Sequence, residues 1–222
     1  MILTAVCLLP GLYSTDLKAQ DPNLANQYFM DGEYEKAATL YGQLSEQDEE
    51  NEYFFNRHME SLLNLENYEE GEKIIKKRLR KMPDNVMLYV TYGGFFERQE
   101  KDAEAAQQYE KAISKMSGDY ASVTRLANTF VNSSKFDLAV QTYERGATLM
   151  KDPNRFAYNL GDLYQRKGET DKMVNCYLNA LSADPGKLAA VQTRMARFLS
   201  PSDFTDLQAQ LMALMACAKG SS

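Results

Sequence analysis

Residue types that commonly build catalytic or metal sites are scarce in this chain of 222 residues. His58 is its only histidine, so a site made of two histidines or of a histidine relay is excluded. Cys7, Cys176 and Cys217 have the spacing of no metal-binding or redox motif, and we expect small buried hydrophobic residues, with a Cys176–Cys217 disulfide left open. No glycine-rich phosphate-binding loop occurs. The sequence therefore predicts no enzymatic activity, no metal site and no cofactor.

Turn-forming residues are also few, with 12 glycines and 6 prolines, which argues against an all-β fold with many turns. The composition, 44% hydrophobic and 25% charged, is ordinary for a folded protein, and the length is sufficient for a continuous core. The formal net charge of −6 would repel phosphate backbones. Nucleic acid is therefore not expected as a partner.

An apolar run covers residues 2–13 and is too short to cross a bilayer as a helix. It has the length of the apolar core of a secretory signal, and Ala19 offers a small residue for cleavage, although no basic residue follows Met1 and Leu17 is large for its position. We expect residues 1–19 to be a signal peptide, which predicts a periplasmic or outer-membrane-associated protein. The alternative is an apolar N-terminal helix that caps a cytoplasmic protein.

The sequence repeats with a constant period, without insertion or deletion. The period equals the spacing between Tyr109 and Tyr143, which recurs between Tyr143 and Tyr177. The units are 18–51, 52–85, 86–119, 120–153 and 154–187. Apolar residues recur at helical spacing, and breakers such as Asp31-Gly32 separate the halves of a unit, so each unit is predicted to be two short helices. The positions that define the period are Ala25, Met59, Gly93, Ala127 and Gly161; Tyr28, Leu62, Phe96, Phe130 and Tyr164; Ala37, Gly71, Ala105, Ala139 and Met173; and Tyr41, Ile75, Tyr109, Tyr143 and Tyr177.

A period of about 34 residues with this pattern resembles the tetratricopeptide repeat family, and the resemblance extends over residues 20–187. The sequence departs from the family where a tryptophan is usual, because Phe55, Tyr89, Val123 or Ala157 stands there. The resemblance implies an all-α fold, a right-handed α-solenoid of antiparallel helical hairpins whose first helices line a concave groove. Residues 188–222 are expected to add a capping pair of helices, at 188–199 and 204–218.

The resemblance also implies a protein–protein interaction scaffold or adaptor that holds a peptide or protein segment in its groove. A cytoplasmic co-chaperone or regulatory scaffold, and a non-catalytic part of a larger envelope protein, are the alternatives. Asparagine can bond a peptide backbone and arginine can clamp a carboxylate, although simple solvation of these polar residues is also open. The family's groove positions hold Asn56, Arg57, Glu60, Asn64, Thr91, Arg98, Arg125, Asn128, Asn132, Asn159, Asp162 and Arg166.

Some family members grip a C-terminal carboxylate with a fixed set of lysine, asparagine and arginine residues. Asn128 and Asn159 match two of those places, but Thr124 replaces a lysine, and Ala189 and Thr193 stand where lysine and arginine belong. We therefore do not predict that clamp.

Two further features have a structural and a functional interpretation. His58 occupies a repeat position that holds leucine or tyrosine elsewhere, so it is predicted to pack in a helix face. A basic run in the second unit is either a solvated outer face or a docking patch for an acidic partner or for membrane headgroups. The run comprises Lys73, Lys76, Lys77, Arg78, Arg80 and Lys81.

Overall fold

The computed structural model describes residues 21–197, and these residues form helices and turns without a strand. Successive helices form antiparallel hairpins, so the odd-numbered helices below are called first helices and the even-numbered ones second helices. The helices are α1 (Pro22–Met30), α2 (Tyr34–Gln47), α3 (Glu52–Asn64), α4 (Tyr68–Lys81), α5 (Val86–Glu97), α6 (Asp102–Lys115), α7 (Tyr120–Asn132), α8 (Phe136–Leu149), α9 (Ala157–Lys167), α10 (Thr170–Ala183) and α11 (Leu188–Met195). A short 3₁₀ turn, Pro185–Lys187, precedes α11.

The second helices follow the period most strictly. Each of the five is 14 residues long and begins one full period after the one before it. A left-handed backbone residue ends the preceding first helix in every repeat, at Gly32, Glu66, Glu100, Ser134 and Gly168. The N–H of the next residue bonds back to the carbonyl five positions earlier, which is the Schellman arrangement. The turn inside each hairpin is therefore conserved in backbone geometry even where glycine is replaced.

Side chains cap the N-termini of several first helices at the same position of the repeat. Asn51, Asn85 and Asp119 each accept a hydrogen bond from the backbone N–H two or three residues ahead, at 2.9–3.2 Å. Such caps satisfy amide groups that have no partner within the helix. The Ser117 hydroxyl also donates to Asp119, at 2.6 Å, and this bond, together with the cap, lowers the pKa of that carboxyl.

Small residues and rings pack as pairs inside the hairpins. A Cβ atom placed on Gly93 would lie 2.3 Å from Cε1 of Tyr109, and one on Gly161 would lie 2.5 Å from Cε1 of Tyr177. Each tyrosine is therefore seated on the backbone of the facing first helix. The Tyr109 ring also meets Phe130 edge-on, with centroids 5.6 Å apart, and so contacts the next hairpin. The rings fill space both within and between hairpins.

The contacts divide the chain into two compact units. Among the described residues, the first unit comprises 21–77 with 94–101, and the second comprises 78–93 with 102–197. In the first unit, α1 packs on α2 and α2 packs on α3. In the second unit, α7 to α11 pack in chain order.

Several predictions concern segments outside the described residues: the signal peptide at 1–19, the capping helix at 204–218, and Cys7 and Cys217. The predicted helix at 188–199 is wrong in length, because α11 ends at Met195. There the Arg197 N–H bonds to the Arg194 carbonyl three residues back, which tightens the chain into a turn. Between residues 21 and 197, no helix combines the length and the apolar character needed to span a membrane.

Candidate partner-binding face

In the first unit, the groove residues predicted on α3 form a local ion pair. Arg57 Nη1 donates to Glu60 Oε2 at 2.9 Å, and its guanidinium lies over the Phe29 ring, 4.4 Å from the centroid. The Asn64 side chain donates to the backbone carbonyl of Glu60 at 2.9 Å. Asn56 lies exposed on the same helix. This part of the face therefore presents an internally neutralised pair of charges beside an aromatic ring.

Thr91 and Arg98 are the predicted site residues of the third repeat. The Thr91 hydroxyl donates to the Met87 carbonyl of its own helix at 3.1 Å, a bond that leaves the side chain directed back along α5. Arg98 follows the end of α5 in the turn to α6, and its carbonyl accepts from the Tyr68 hydroxyl at 3.3 Å. Thr91 lies in the second unit and Arg98 in the first.

In the second unit, the predicted residues form two matching triplets. Arg125, Asn128 and Asn132 are spaced by three and four positions along α7, which places them on one face of the helix. The corresponding positions on α9, one period later, hold the second triplet, which comprises Asn159, Asp162 and Arg166. The triplet on α7 is exposed, whereas on α9 only Arg166 is fully exposed.

A tyrosine hydroxyl connects the two triplets. The Tyr143 hydroxyl lies 3.5 Å from Oδ1 of Asn128 and 3.4 Å from Nδ2 of Asn159. The Tyr143 ring is only 3% exposed, and it packs against Phe156 with centroids 5.1 Å apart. Burial raises the pKa of Tyr143. A buried, protonated hydroxyl thus links a side chain of α7 to a side chain of α9.

One period later along the chain, the equivalent arrangement contains charged side chains. Asp162 Oδ1 accepts from the Tyr177 hydroxyl at 2.7 Å and from Nη1 of Arg194 at 2.9 Å. Arg194 Nε donates to the Tyr158 hydroxyl and its guanidinium lies 5.0 Å from the centroid of that ring. Burial and the bond to Asp162 raise the pKa of Tyr177. The charge of Asp162 is therefore paired with Arg194 of α11, through its Oδ1 atom.

Basic and acidic side chains are distributed unevenly among the helices α6 to α11. The first helices α7, α9 and α11 carry four basic side chains and one acidic side chain. The second helices α6, α8 and α10 carry four basic and six acidic side chains. Among α6 to α11, the first helices are thus more positive than the second helices, in a chain whose net charge is −6.

Sequence reasoning missed four residues that contribute to these polar faces: Asn26, Tyr143, Tyr177 and Arg194. Asn26 is in repeat register with Asn128 and could have been found from the period, and its Oδ1 accepts from the Tyr53 hydroxyl at 3.4 Å. In the sequence, Tyr143 and Tyr177 stand out only as positions that define the period. Tertiary packing places their hydroxyl groups beside the polar face.

The other two sequence features are mainly structural. His58 lies against Gly42, where an added Cβ would come within 3.0 Å of its Cε1 atom. Burial lowers the pKa of His58, while Glu46 and Glu70 act against that shift. In the basic run, Lys73 and Lys76 pair with glutamates of their own helix, at 3.3 and 2.8 Å. These pairs favour the solvated-face interpretation of the basic run.

The described part of the chain offers hydrogen-bond donors and acceptors, and it contains no cluster of three potential metal ligands. The polar side chains of α7 and α9 suit noncovalent recognition, because amide groups both donate and accept and guanidinium groups bind carboxylates.

A family model described as "Tetratricopeptide repeat" matches residues 155–187, which include α9 and α10. No curated protein matches the chain significantly. Among solved structures, the crystal structure of MamA is 16% identical with a TM-score of 0.37, over 74% of this chain and 96% of that chain. The C-terminal part of a repeat protein from Cytophaga hutchinsonii is 20% identical with a TM-score of 0.43, over 89% and 80%.

A tetratricopeptide repeat protein of Thermus thermophilus is 16% identical with a TM-score of 0.38, over 79% and 95% of the two chains. All three TM-scores lie below 0.5, and no conclusion about function follows from these likenesses. The family match is confined to one hairpin. Residues 155–187 are therefore identified as a tetratricopeptide repeat, and the same turn and the same step recur from α1 to α10.

Proposed function

We propose that this protein is a non-catalytic scaffold or adaptor that binds a peptide or protein segment on the first-helix face of its second unit. Repeats of this kind generally serve protein–protein interaction. The observation that carries the proposal is the pair of matching triplets on α7 and α9, most of whose side chains are exposed and polar.

The charge distribution supports an acidic segment as the partner. The first helices α7, α9 and α11 have an excess of basic side chains, while the second helices α6, α8 and α10 have an excess of acidic ones. Complementary potentials favour encounter and exclude partners of the same sign. Arg125 and Arg166 on α7 and α9 are the exposed cations nearest in sequence to the asparagines, so they would meet carboxylates of the partner.

The apolar run at residues 2–13 supports a place in the bacterial cell envelope, where the scaffold would act in the periplasm or at the outer membrane. Export is independent of the binding proposal, and a cytoplasmic scaffold would use the same face.

The binding proposal can be tested with a defined probe. Short peptides are selected from a random display library against the immobilised full chain, and affinities are measured by fluorescence anisotropy. Replacing Arg125→Ala together with Asn128→Ala should weaken binding of the selected peptides roughly 30- to 1,000-fold, because one hydrogen bond to a charged group and one neutral bond are lost. Circular dichroism should show unchanged helix content.

The matched control is Gln107→Ala with Lys111→Ala, which removes one amide and one cation from exposed positions of α6. This variant should bind the peptides as the unaltered chain does. If no selected peptide distinguishes the two double variants, or if no peptide is selected, the face on α7 and α9 is not the binding site.

A further inference from the structure

Arg194 of α11 lies against the face of α9 that bears the second triplet. Its Nη1 donates to Oδ1 of Asp162 at 2.9 Å, its Nε donates to the Tyr158 hydroxyl, and its guanidinium lies 5.0 Å from the centroid of that ring. Tyr158, Asp162 and Arg166 follow one another at intervals of four positions along α9, which places them on one side of the helix. The Arg194 guanidinium is therefore on the same face as the exposed Arg166, although it belongs to another helix.

Two contacts hold the Arg194 guanidinium independently of Asp162. They are the hydrogen bond to the Tyr158 hydroxyl and the cation–π contact with the Tyr158 ring. The side chain of Arg194 is 41% exposed and that of Asp162 is 31% exposed, so solvent reaches the ion pair. A guanidinium has five N–H groups in a planar fork and can bond more than one acceptor. Tyr158 thus positions Arg194 for a carboxylate, whichever carboxylate that is.

Asp162 has a second hydrogen bond that does not depend on Arg194. Its Oδ1 accepts from the Tyr177 hydroxyl at 2.7 Å. An ion pair between partly exposed side chains contributes little to stability, because water solvates both charges when they separate. Replacing Asp162 on Arg194 by another carboxylate would therefore cost little, since one ion pair takes the place of another and Asp162 keeps its bond to Tyr177.

The preceding repeat contains a neutral form of the same arrangement. Asn128 is in register with Asp162, and its Oδ1 lies 3.5 Å from the Tyr143 hydroxyl, as the Oδ1 of Asp162 contacts the Tyr177 hydroxyl. An amide oxygen is thus sufficient beside the tyrosine, and the packing does not require a carboxylate. On a face proposed to bind an acidic segment, a carboxylate repels that segment.

We propose that Arg194 is a further carboxylate-binding residue of this face, and that Asp162 occupies its guanidinium in the unbound chain. When the acidic segment binds, one of its carboxylates replaces Asp162 on Arg194. Asp162 is therefore an internal competitor, which disfavours partners that have no carboxylate at this place. The proposal rests on the proposed function and deepens it, because it names the residue that takes an acidic group of the partner and the residue that competes for it.

The first test removes the competitor from the full chain and uses an acidic peptide selected as above. Asp162→Asn keeps an oxygen for Tyr177 and removes the charge, whereas Glu110→Gln removes the same charge from an exposed position of α6. Asp162→Asn should bind the peptide roughly 2- to 5-fold more tightly than Glu110→Gln, the range expected for one partly exposed ion pair. Fluorescence anisotropy measures both affinities.

The second test asks whether Asp162 acts through Arg194. Arg194→Gln should weaken binding of the peptide roughly 2- to 5-fold. In that background Asp162→Asn should gain nothing over Glu110→Gln, because no guanidinium remains to compete for. Arg194→Lys keeps the charge without the planar fork and should retain part of the gain.

Hydrogen exchange of residues 188–195 shows whether α11 stays packed in each variant. If Arg194→Gln loses this protection, the comparison is made with Arg194→Lys, which keeps a cation near Asp162.

The third test locates the acidic group on the peptide. Each aspartate or glutamate of the peptide is replaced in turn by its amide. At one position the amide should weaken binding to the full chain roughly 2- to 5-fold and should cause no further loss with Arg194→Gln.

The outcomes separate the two proposals. Equal affinities for Asp162→Asn and Glu110→Gln, or a gain that persists without Arg194, would overturn the assignment of Arg194. The scaffold proposal would stand in that case, provided that the peptide still depends on Arg125 and Asn128. Selected peptides without a carboxylate would also overturn the assignment. Peptides that are insensitive to Arg125→Ala with Asn128→Ala would remove the scaffold proposal itself, and this one with it.

Discussion

Glycine within a helix is destabilising relative to alanine, yet Gly93 lies in the interior of α5. The reason is the Tyr109 ring, which occupies the space that a side chain would need. One repeat earlier, Met59 takes the small-residue position and Ile75 takes the ring position, and both are almost completely buried. There a larger residue on the first helix is accompanied by a smaller residue on the second.

Adjacent glycines of α5 allow a matched test of this packing. Gly93→Ala should lower the free energy of unfolding by about 1–3 kcal/mol, because the methyl group overlaps the Tyr109 ring. Gly94→Ala should raise it by up to about 1 kcal/mol, since no atom lies within 4 Å of the added carbon and alanine favours the helix. Urea denaturation measures both. Changes of the same sign would contradict the packing argument.

At the scale of single residues, the lowered pKa of His58 predicts that the free energy of unfolding depends on pH. Burial lowers its pKa in the folded state, so the unfolded chain binds the proton more tightly. The contribution of His58 to stability is complete above its ordinary pKa of about 6.5 and falls as the pH drops from there through the lowered value. Glu46 from α2 and Glu70 from α4 face the imidazole and reduce the effect.

His58→Leu should remove this part of the pH dependence, because leucine fills the equivalent positions at Leu126 and Leu160. Denaturation midpoints are compared between pH values of about 7.5 and 5.5, a window around the ordinary histidine pKa and above the main carboxylate titrations. Parallel curves for the variant and the unaltered chain would show that His58 does not cause the change.

At the scale of the element, the hairpin turn is more strongly conserved in geometry than in sequence. The left-handed residue is glycine at Gly32 and Gly168, but Glu66, Glu100 and Ser134 take φ angles of 55–58°. A left-handed conformation costs an ordinary residue roughly 1–2 kcal/mol. The surrounding hairpin imposes it, because the hydrogen bonds that close the turn recur in all five repeats.

Two substitutions in opposite directions test the cost of this turn. Ser134→Gly should raise the free energy of unfolding by about 0.5–1 kcal/mol. The change relieves the strain of the left-handed backbone, and the greater conformational entropy of glycine in the unfolded chain offsets part of that gain. Gly168→Ala should lower it by about 1 kcal/mol for the same strain. Both positions are exposed, so neither change alters core packing. A stabilising Gly168→Ala would show that the turn is not under this constraint.

At the scale of the whole molecule, the sequence contains a feature that the described helices do not explain, the apolar run at residues 2–13. If it is a signal, the full chain produced in a Gram-negative host should appear in the periplasm with Gln20 as its first residue, because Ala19 is the expected cleavage site. N-terminal sequencing of the fractionated cells measures this.

The control replaces Leu8→Arg and Leu9→Arg, which interrupts the apolar run without touching the repeats. That variant should stay in the cytoplasm with Met1 retained or removed only by normal processing. The unaltered chain found intact in the cytoplasm would instead support a cytoplasmic scaffold.

Much of the fold could be predicted from the sequence, because the repeat period is a property of spacing along the chain. The step of Tyr109, Tyr143 and Tyr177 and the facing small residues indicate paired helices before any coordinate is known. The candidate face was predicted only in part. Asn128 and Asn159 follow from the register, whereas Arg194 lies 36 residues from its partner Tyr158 and no local pattern indicates that contact.

The sequence by itself determined the repeat, the helix pairs and the polar character of the first-helix face, since each depends on spacing that can be read along the chain. Tertiary structure decided which of those polar groups remain for a partner. It brings the Tyr143 hydroxyl between two asparagines and neutralises Asp162 with Arg194. Hydrogen bonds depend on distances of about 3 Å and on direction, which only the packing of separate helices can set.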